Sequence, residues 1–193
     1  DLDAAYKSYY PFVVNGKNFL DAAYEVATRY GVIQIFTAGN RDGMKESYTR
    51  AMLPYFRPDA EKYWLNVTGQ LDGDTQRYNT PGHSKWWSVA APAKPIYSTV
   101  VDLKTGKADY DTKGGTSMAA PHVTGALGVI MQRYPYMNNA QIREVLLTTA
   151  RQIHDDFKEP ADTRKISGFT AALGVPDERW GWGVVDLYKA MFG

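Results

Sequence analysis

The sequence contains no cysteine. That excludes disulfides, thiolate metal centres and a cysteine nucleophile, and it leaves the compartment open. No apolar run reaches the ~20 residues that cross a bilayer; the stretch 125–131 is short and glycine-rich. The formal net charge is only +1 and no Lys/Arg-rich run stands out, so nothing in the electrostatics points to nucleic acid or to an acidic membrane surface. Internal repeats and low-complexity tracts are absent as well. Histidine is scarce, with residues at 83, 122 and 154 only. The sequence opens at Asp1 with neither an initiator methionine nor a signal-like leader, which sets the expectation of a chain that is processed or cut from something longer.

What is present fits an α/β protein. The 193 residues suit one domain or a large part of one, and 44% hydrophobic with 22% charged residues is an ordinary balance. Asn18 is a good helix cap. Phe19, Ala22, Ala23, Val26 and Ala27 then fall on one helical stripe that Gly31 ends. Val32-Ile33-Gln34-Ile35-Phe36 follows as a short buried strand. A helix running directly into such a strand is half of a βαβ unit, so a parallel sheet covered by helices is expected. Residues 41–62 read as a long loop with a helical turn. Further extended segments are expected at 12–14, 64–69, 86–91 and 96–101, with a hairpin over 102–113 that has Thr105-Gly106 at its tip. Asn138 and Gln141 have the spacing of a capping box ahead of the stripe Ile142, Val145, Leu146 and Thr149. A last helix is expected over 185–192, and Trp180 and Trp182 read as packing residues. Asn66-Val67-Thr68 matches a glycosylation pattern but lies in an expected strand, so it is assigned no role.

Ligand sites in open α/β sheets lie beyond the carboxyl ends of strands. That places Thr37-Ala38-Gly39-Asn40 well for chemistry, although an Asn after a Gly is by itself more often a turn residue. Further on comes Gly114-Gly115-Thr116-Ser117-Met118-Ala119-Ala120-Pro121-His122-Val123. The glycines permit a tight turn, Thr116 has the character of an N-cap, and Pro121 is tolerated within a first helical turn. Ala119, Ala120 and Gly125 leave room for close packing. The stretch reads as a turn opening into a buried helix over 117–133, with Ser117 at its start. Free N–H groups and the helix dipole favour an anion there, and a serine that attacks a carbonyl creates one. The plainer alternative is a buried helix with an ordinary serine cap.

From Gly115 to Val123 the sequence resembles the nucleophile motif of the subtilisin family of serine proteases, and the resemblance runs from about Phe19 to Gly193. Ala38-Gly39-Asn40 resembles the strand end that supplies the side-chain amide of the oxyanion hole. Ser88-Val89-Ala90-Ala91-Pro92 resembles the segment ahead of the nucleophile loop, with Ala93 where the family usually has glycine. The tail from Trp180 to Met191 is similar to the branch found in bacterial autotransporter passengers. The resemblance implies a three-layer α/β fold with a mostly parallel sheet between helices. It also implies a polypeptide substrate, a secreted or bacterial-surface location, Ser117 as nucleophile, and Asn40 with the Ser117 N–H as oxyanion hole. Ala38, Gly39 and Thr116 would be substrate-binding. Tyr48, Tyr55 and Phe56 are candidates for a specificity-pocket wall, with packing under a loop as the plainer role. Many family members bind calcium, yet neither Asp72 and Asp74 nor Asp109 and Asp111 fix a coordination set; these pairs read as solvated loop residues.

A serine hydroxyl needs a base, and the base needs an orienting carboxylate. The family order of Asp, His, Ser puts both upstream of Ser117. His122 lies more than one turn along the serine helix and reads as structural. His83 lacks the motif of the family base and reads as a surface-loop residue, and His154 follows the serine. Asp1, Asp3 and Asp21 carry no signature of the family acid. Residues 1–193 are therefore expected to be the C-terminal portion of a single subtilisin-like peptidase domain whose Asp and His lie elsewhere. An open sheet edge invites self-association or pairing with the missing half. Two other readings stay open: an inert fragment or homologue serving as a folded binding module, and one chain of a nicked two-chain protease. The α/β-hydrolase elbow does not fit, because Gly115-Thr116-Ser117-Met118-Ala119 lacks its final glycine and His154, Asp155 and Asp156 are adjacent.

Overall fold

Asn18 starts the first helix, α1 (Phe19–Tyr30), through a reciprocal box: its Oδ1 accepts the Asp21 N–H at 2.8 Å, and Asp21 Oδ2 accepts the Asn18 N–H at 3.1 Å. The chain then leaves through Gly31 into β1 (Gln34–Thr37). The computed structural model describes residue 4 and residues 17–76, 78–153 and 174–193. The expected extended piece at 12–14, and Asp1, Asp3, His154, Asp155 and Asp156, lie outside these residues, as does the Asp74 side chain.

The expected long loop contains α2 (Leu53–Phe56) between 3-10 turns at Thr49–Met52 and Pro58–Tyr63. It leads to β2 (Trp64–Gln70), and a further 3-10 turn at Gly82–Trp87 precedes β3 (Ser88–Pro92). The three strands form a parallel sheet in the order β1-β2-β3, with Gln34 opposite Trp64 and Asn66 opposite Ser88. Next come an antiparallel hairpin of β4 (Ile96–Val101) and β5 (Ala108–Lys113), then α3 (Thr116–Arg133), α4 (Asn139–Thr148) and α5 (Leu187–Phe192). The Asn138/Gln141 box caps α4 as the spacing predicts.

Strand residues alternate between faces, and β2 is buried on both. Leu65 and Val67 pack with Val123 and Ile130 of α3 and with Ile142 and Leu146 of α4. Trp64 turns the other way and packs with Leu20 and Ala27 of α1, Leu53 and Trp87. These two clusters make the three layers: helices, parallel sheet, helices. Asn66 and Thr68 share the Trp64 side. Asn66 is fully buried, and its Nδ2 lies 2.7–2.8 Å from the hydroxyls of Ser47, Ser84 and Ser88, so the glycosylation-like triplet is a core element. Trp180 is buried, and Trp182 donates its indole N–H to the Trp86 carbonyl at 2.9 Å.

The hairpin stands in solvent, and Asp109 and Asp111 lie on its strand β5 rather than in a loop. Its turn is held by Asp102, whose carboxylate accepts the Thr105 hydroxyl at 2.6 Å and the Lys104 N–H at 2.9 Å. The Thr105 bond first, then the Lys104 N–H, holds this carboxyl below the usual aspartate range. A lowered folded-state pKa means that the bonds contribute fully above the unfolded value and are lost as pH falls through the folded one. On acid titration the Lys104 and Thr105 amide resonances should therefore hold steady down to about pH 4, the ordinary aspartate value, and move only below it. Movement complete above that pH would contradict this turn.

Candidate active site

The end of β1 is fastened on both sides. The Ala38 N–H donates to the Val67 carbonyl at 2.8 Å, and the Ala38 carbonyl accepts the Tyr48 N–H at 2.8 Å. Gly39 then turns the chain with φ +125°, where L side chains are strained. A Cβ there would stand 2.7 Å from Asn79 Oδ1 and 2.8 Å from the Tyr48 ring. The turn delivers Asn40 to the surface.

The serine helix is fastened in the same way. The Ala93 N–H donates to the Gln70 carbonyl at 2.8 Å, and the Gly115 N–H donates to the Ala93 carbonyl at 2.9 Å. Ala93 thus ties the turn ahead of Ser117 to the end of β2. Two local expectations need correction. Gly115, with φ 143°, is the N-cap, and Thr116 is the first helical residue, because its hydroxyl is engaged elsewhere. Pro121 lies in the second turn of α3, where its missing N–H removes the bond to the Ser117 carbonyl without ending the helix.

Asn40 joins the two ends. Its Oδ1 accepts the Thr116 N–H at 2.9 Å and the Thr116 hydroxyl at 2.8 Å, across 76 positions of sequence. A backbone N–H can only donate, so the atom facing it is the oxygen and the amide NH₂ points the other way. The Met118 N–H is taken by the Gly115 carbonyl at 2.9 Å. Among the described residues nothing accepts the Ser117 N–H, one of the four that a helix start leaves open. Ser117 is exposed and Thr116 buried. The structure therefore brings Asn40, Thr116 and Ser117 to one edge. Ala38 and Gly39 support that edge from beneath, with both polar backbone groups of Ala38 already paired.

The histidines are elsewhere. His122 Nδ1 lies 2.8 Å from the Met118 carbonyl of its own helix. His83 contacts Glu46 through Nδ1 and donates its backbone N–H to Glu46 Oε2 at 3.1 Å; its ring meets Tyr55 edge-on. Among the described residues, no base bonds the Ser117 hydroxyl. Tyr48 lies against Gly39, and Tyr55 packs edge-on with Phe56. Among the described residues, no group of three or more His, Cys, Asp or Glu converges as a metal set. No helix among them is long and apolar enough to cross a membrane. Asn79 was not among the expected site residues; it is buried, its side chain bonds the Arg41 N–H and the Glu46 carbonyl after Asn40, and its backbone N–H donates to the Gly39 carbonyl before it. Nothing in a polar connecting stretch marked it, because its burial arises only in the fold.

The model of the subtilase family matches residues 11–183. The chain belongs to the subtilase family. It is 34% identical over 186 residues to an extracellular serine protease of Serratia marcescens, covering 86% of this chain and 16% of that protein. It is 31% identical over 175 residues to the autotransporter lipoprotein NalP of Neisseria meningitidis, covering 82% of this chain and 14% of NalP. Fervidolysin of Fervidobacterium pennivorans superposes with a TM-score of 0.59 at 26% identity, over 89% of this chain and 24% of that one. The prenylagaramide maturation protease PagA has the same fold, with a TM-score of 0.63 at 19% identity over 88% of this chain and 53% of PagA. This subtilase chain thus spans 16% and 14% of the length of these two curated relatives.

Gly39→Ala tests the fastening of the strand end. The new methyl meets Asn79 and Tyr48 in a strained backbone conformation, so a loss of about 1–3 kcal/mol is expected in urea unfolding. An unchanged midpoint would contradict the crowding around Gly39.

Proposed function

We propose that this chain is the nucleophile-bearing part of a secreted or surface-displayed serine endopeptidase acting on polypeptides. Ser117 Oγ attacks the scissile carbonyl carbon and passes its proton to a histidine base. The carbonyl oxygen becomes an oxyanion, held by the Asn40 NH₂ and the Ser117 N–H. Collapse breaks the C–N bond, the base returns its proton to the departing amine, and the acyl group stays on Ser117. Water then attacks the ester by the same route. Thr116 serves by fixing Asn40. The orientation of Asn40 carries this reading: with Oδ1 committed to Thr116, its NH₂ is a donor set before any charge develops.

The base and its carboxylate come, in this reading, from a separate segment that covers the open side of α3. That helix carries no Asp, Glu, Lys or Arg before Arg133, so it has no charged face to present to solvent. Yet Pro121, Gly125 and Gly128 are exposed, and a Cβ added at either glycine would meet nothing within 4 Å. The chain alone is then an unactivated piece, consistent with the absence of a base bonded to Ser117 among the described residues.

Fluorophosphonate labelling with the modified residue located by mass spectrometry tests both statements. Ser117 should stay unlabelled in the folded chain alone and be labelled in the complete protease. There, Asn40→Leu should lower kcat by about 100- to 1,000-fold, the cost of removing such a donor from a subtilisin. Labelling of Ser117 in the chain alone would overturn the separate base, and a normal kcat in the variant would overturn the role of Asn40.

A further inference from the structure

Asn79 is 1% exposed, and its backbone and side-chain polar groups are all engaged. Its N–H donates to the Gly39 carbonyl at 3.3 Å. Its Oδ1 accepts the Arg41 N–H at 2.8 Å, and its Nδ2 donates to the Glu46 carbonyl at 2.7 Å. Its own carbonyl accepts the Thr68 hydroxyl at 2.8 Å, which anchors it to β2. The Arg41 N–H can only donate and the Glu46 carbonyl can only accept, so the side-chain amide has one orientation. Asn79 therefore holds both peptide groups that flank Asn40: the carbonyl before it and the N–H after it. The missing Cβ of Gly39 is what lets Asn79 approach so closely.

We infer that Asn79 is a positioning residue for the oxyanion donor, fixing the backbone of Asn40 while Thr116 fixes its side chain. The inference rests on the reading of Asn40 given above. Fully paired buried amides are rigid, and a displacement of about 1 Å at a catalytic group can cost about 100-fold in rate. The oxyanion exists only after attack, so a loosened Asn40 should appear in kcat and leave KM nearly unchanged.

A double-mutant cycle in the complete protease tests this. Asn79→Ala is expected to lower kcat by about tenfold or more with KM within about twofold, and to change kcat by less than about twofold in an Asn40→Ala background. Thr68→Val is the structural control, because it removes the anchor to β2 and leaves both bonds beside Asn40; it should lower the melting temperature and keep kcat within about twofold. If Asn79→Ala does not fold, Asn79→Ser takes its place, its hydroxyl being about one bond too short to reach the Arg41 N–H. An Asn79 effect of equal size in both backgrounds, no effect on kcat, or an equal loss in Thr68→Val would overturn the inference. If Asn40→Ala alone leaves kcat unchanged, the underlying reading of Asn40 fails instead.

Discussion

The paired hydrogen bonds from Thr116 to Asn40 Oδ1 are the constraint around which this chain is arranged. They join the carboxyl end of the first sheet strand to the amino end of the long apolar helix. Each partner is also fastened to β2. Ala38 is held by the Val67 carbonyl, and Gly115 is held through Ala93 to the Gln70 carbonyl. The middle strand, buried on both faces, thus sets the spacing between the Asn40 turn and the start of α3.

The same bonds decide the chemistry available. An asparagine amide offers an acceptor and donors, and which one meets the ligand depends on what the other end is bound to. Here the acceptor is taken by two donors from one residue. The NH₂ remains, beside an open helix-start N–H. Neutral donors fixed in advance suit a charge that appears only during reaction. In the proposed reading Asn40 and the Ser117 N–H are those donors, while His83 contacts Glu46 and His122 contacts the Met118 carbonyl.

Much of the fold was legible because it is written locally. Asn18 with Gly31, and Asn138 with Gln141, bound their helices through residues three or four positions apart or at a single left-handed turn. The hairpin announces itself through its turn at Thr105-Gly106, but the expected span 102–113 is too short, because β5 pairs back to β4 at Ile96–Val101. Ala38-Gly39-Asn40 and the serine stretch were legible as motifs. Thr116 has the character of a cap in the sequence because a threonine before a helix ordinarily bonds its own next turn, whereas here a partner 76 positions away takes the hydroxyl. Asn79 and the pairing of Glu46 with His83 were not legible, since both depend on contacts between loops 33–38 positions apart in sequence. Residues that serve a site from behind leave little trace in a polar loop sequence.

The most direct measurement is the structure of the complete protease with a phosphonate bound covalently at Ser117. The phosphonyl oxygen that mimics the oxyanion is expected within about 2.7–3.1 Å of both Asn40 Nδ2 and the Ser117 nitrogen, with Asn40 Oδ1 still held by Thr116. An oxygen turned away from Asn40, or an Asn40 released from Thr116, would contradict the role given to this pair.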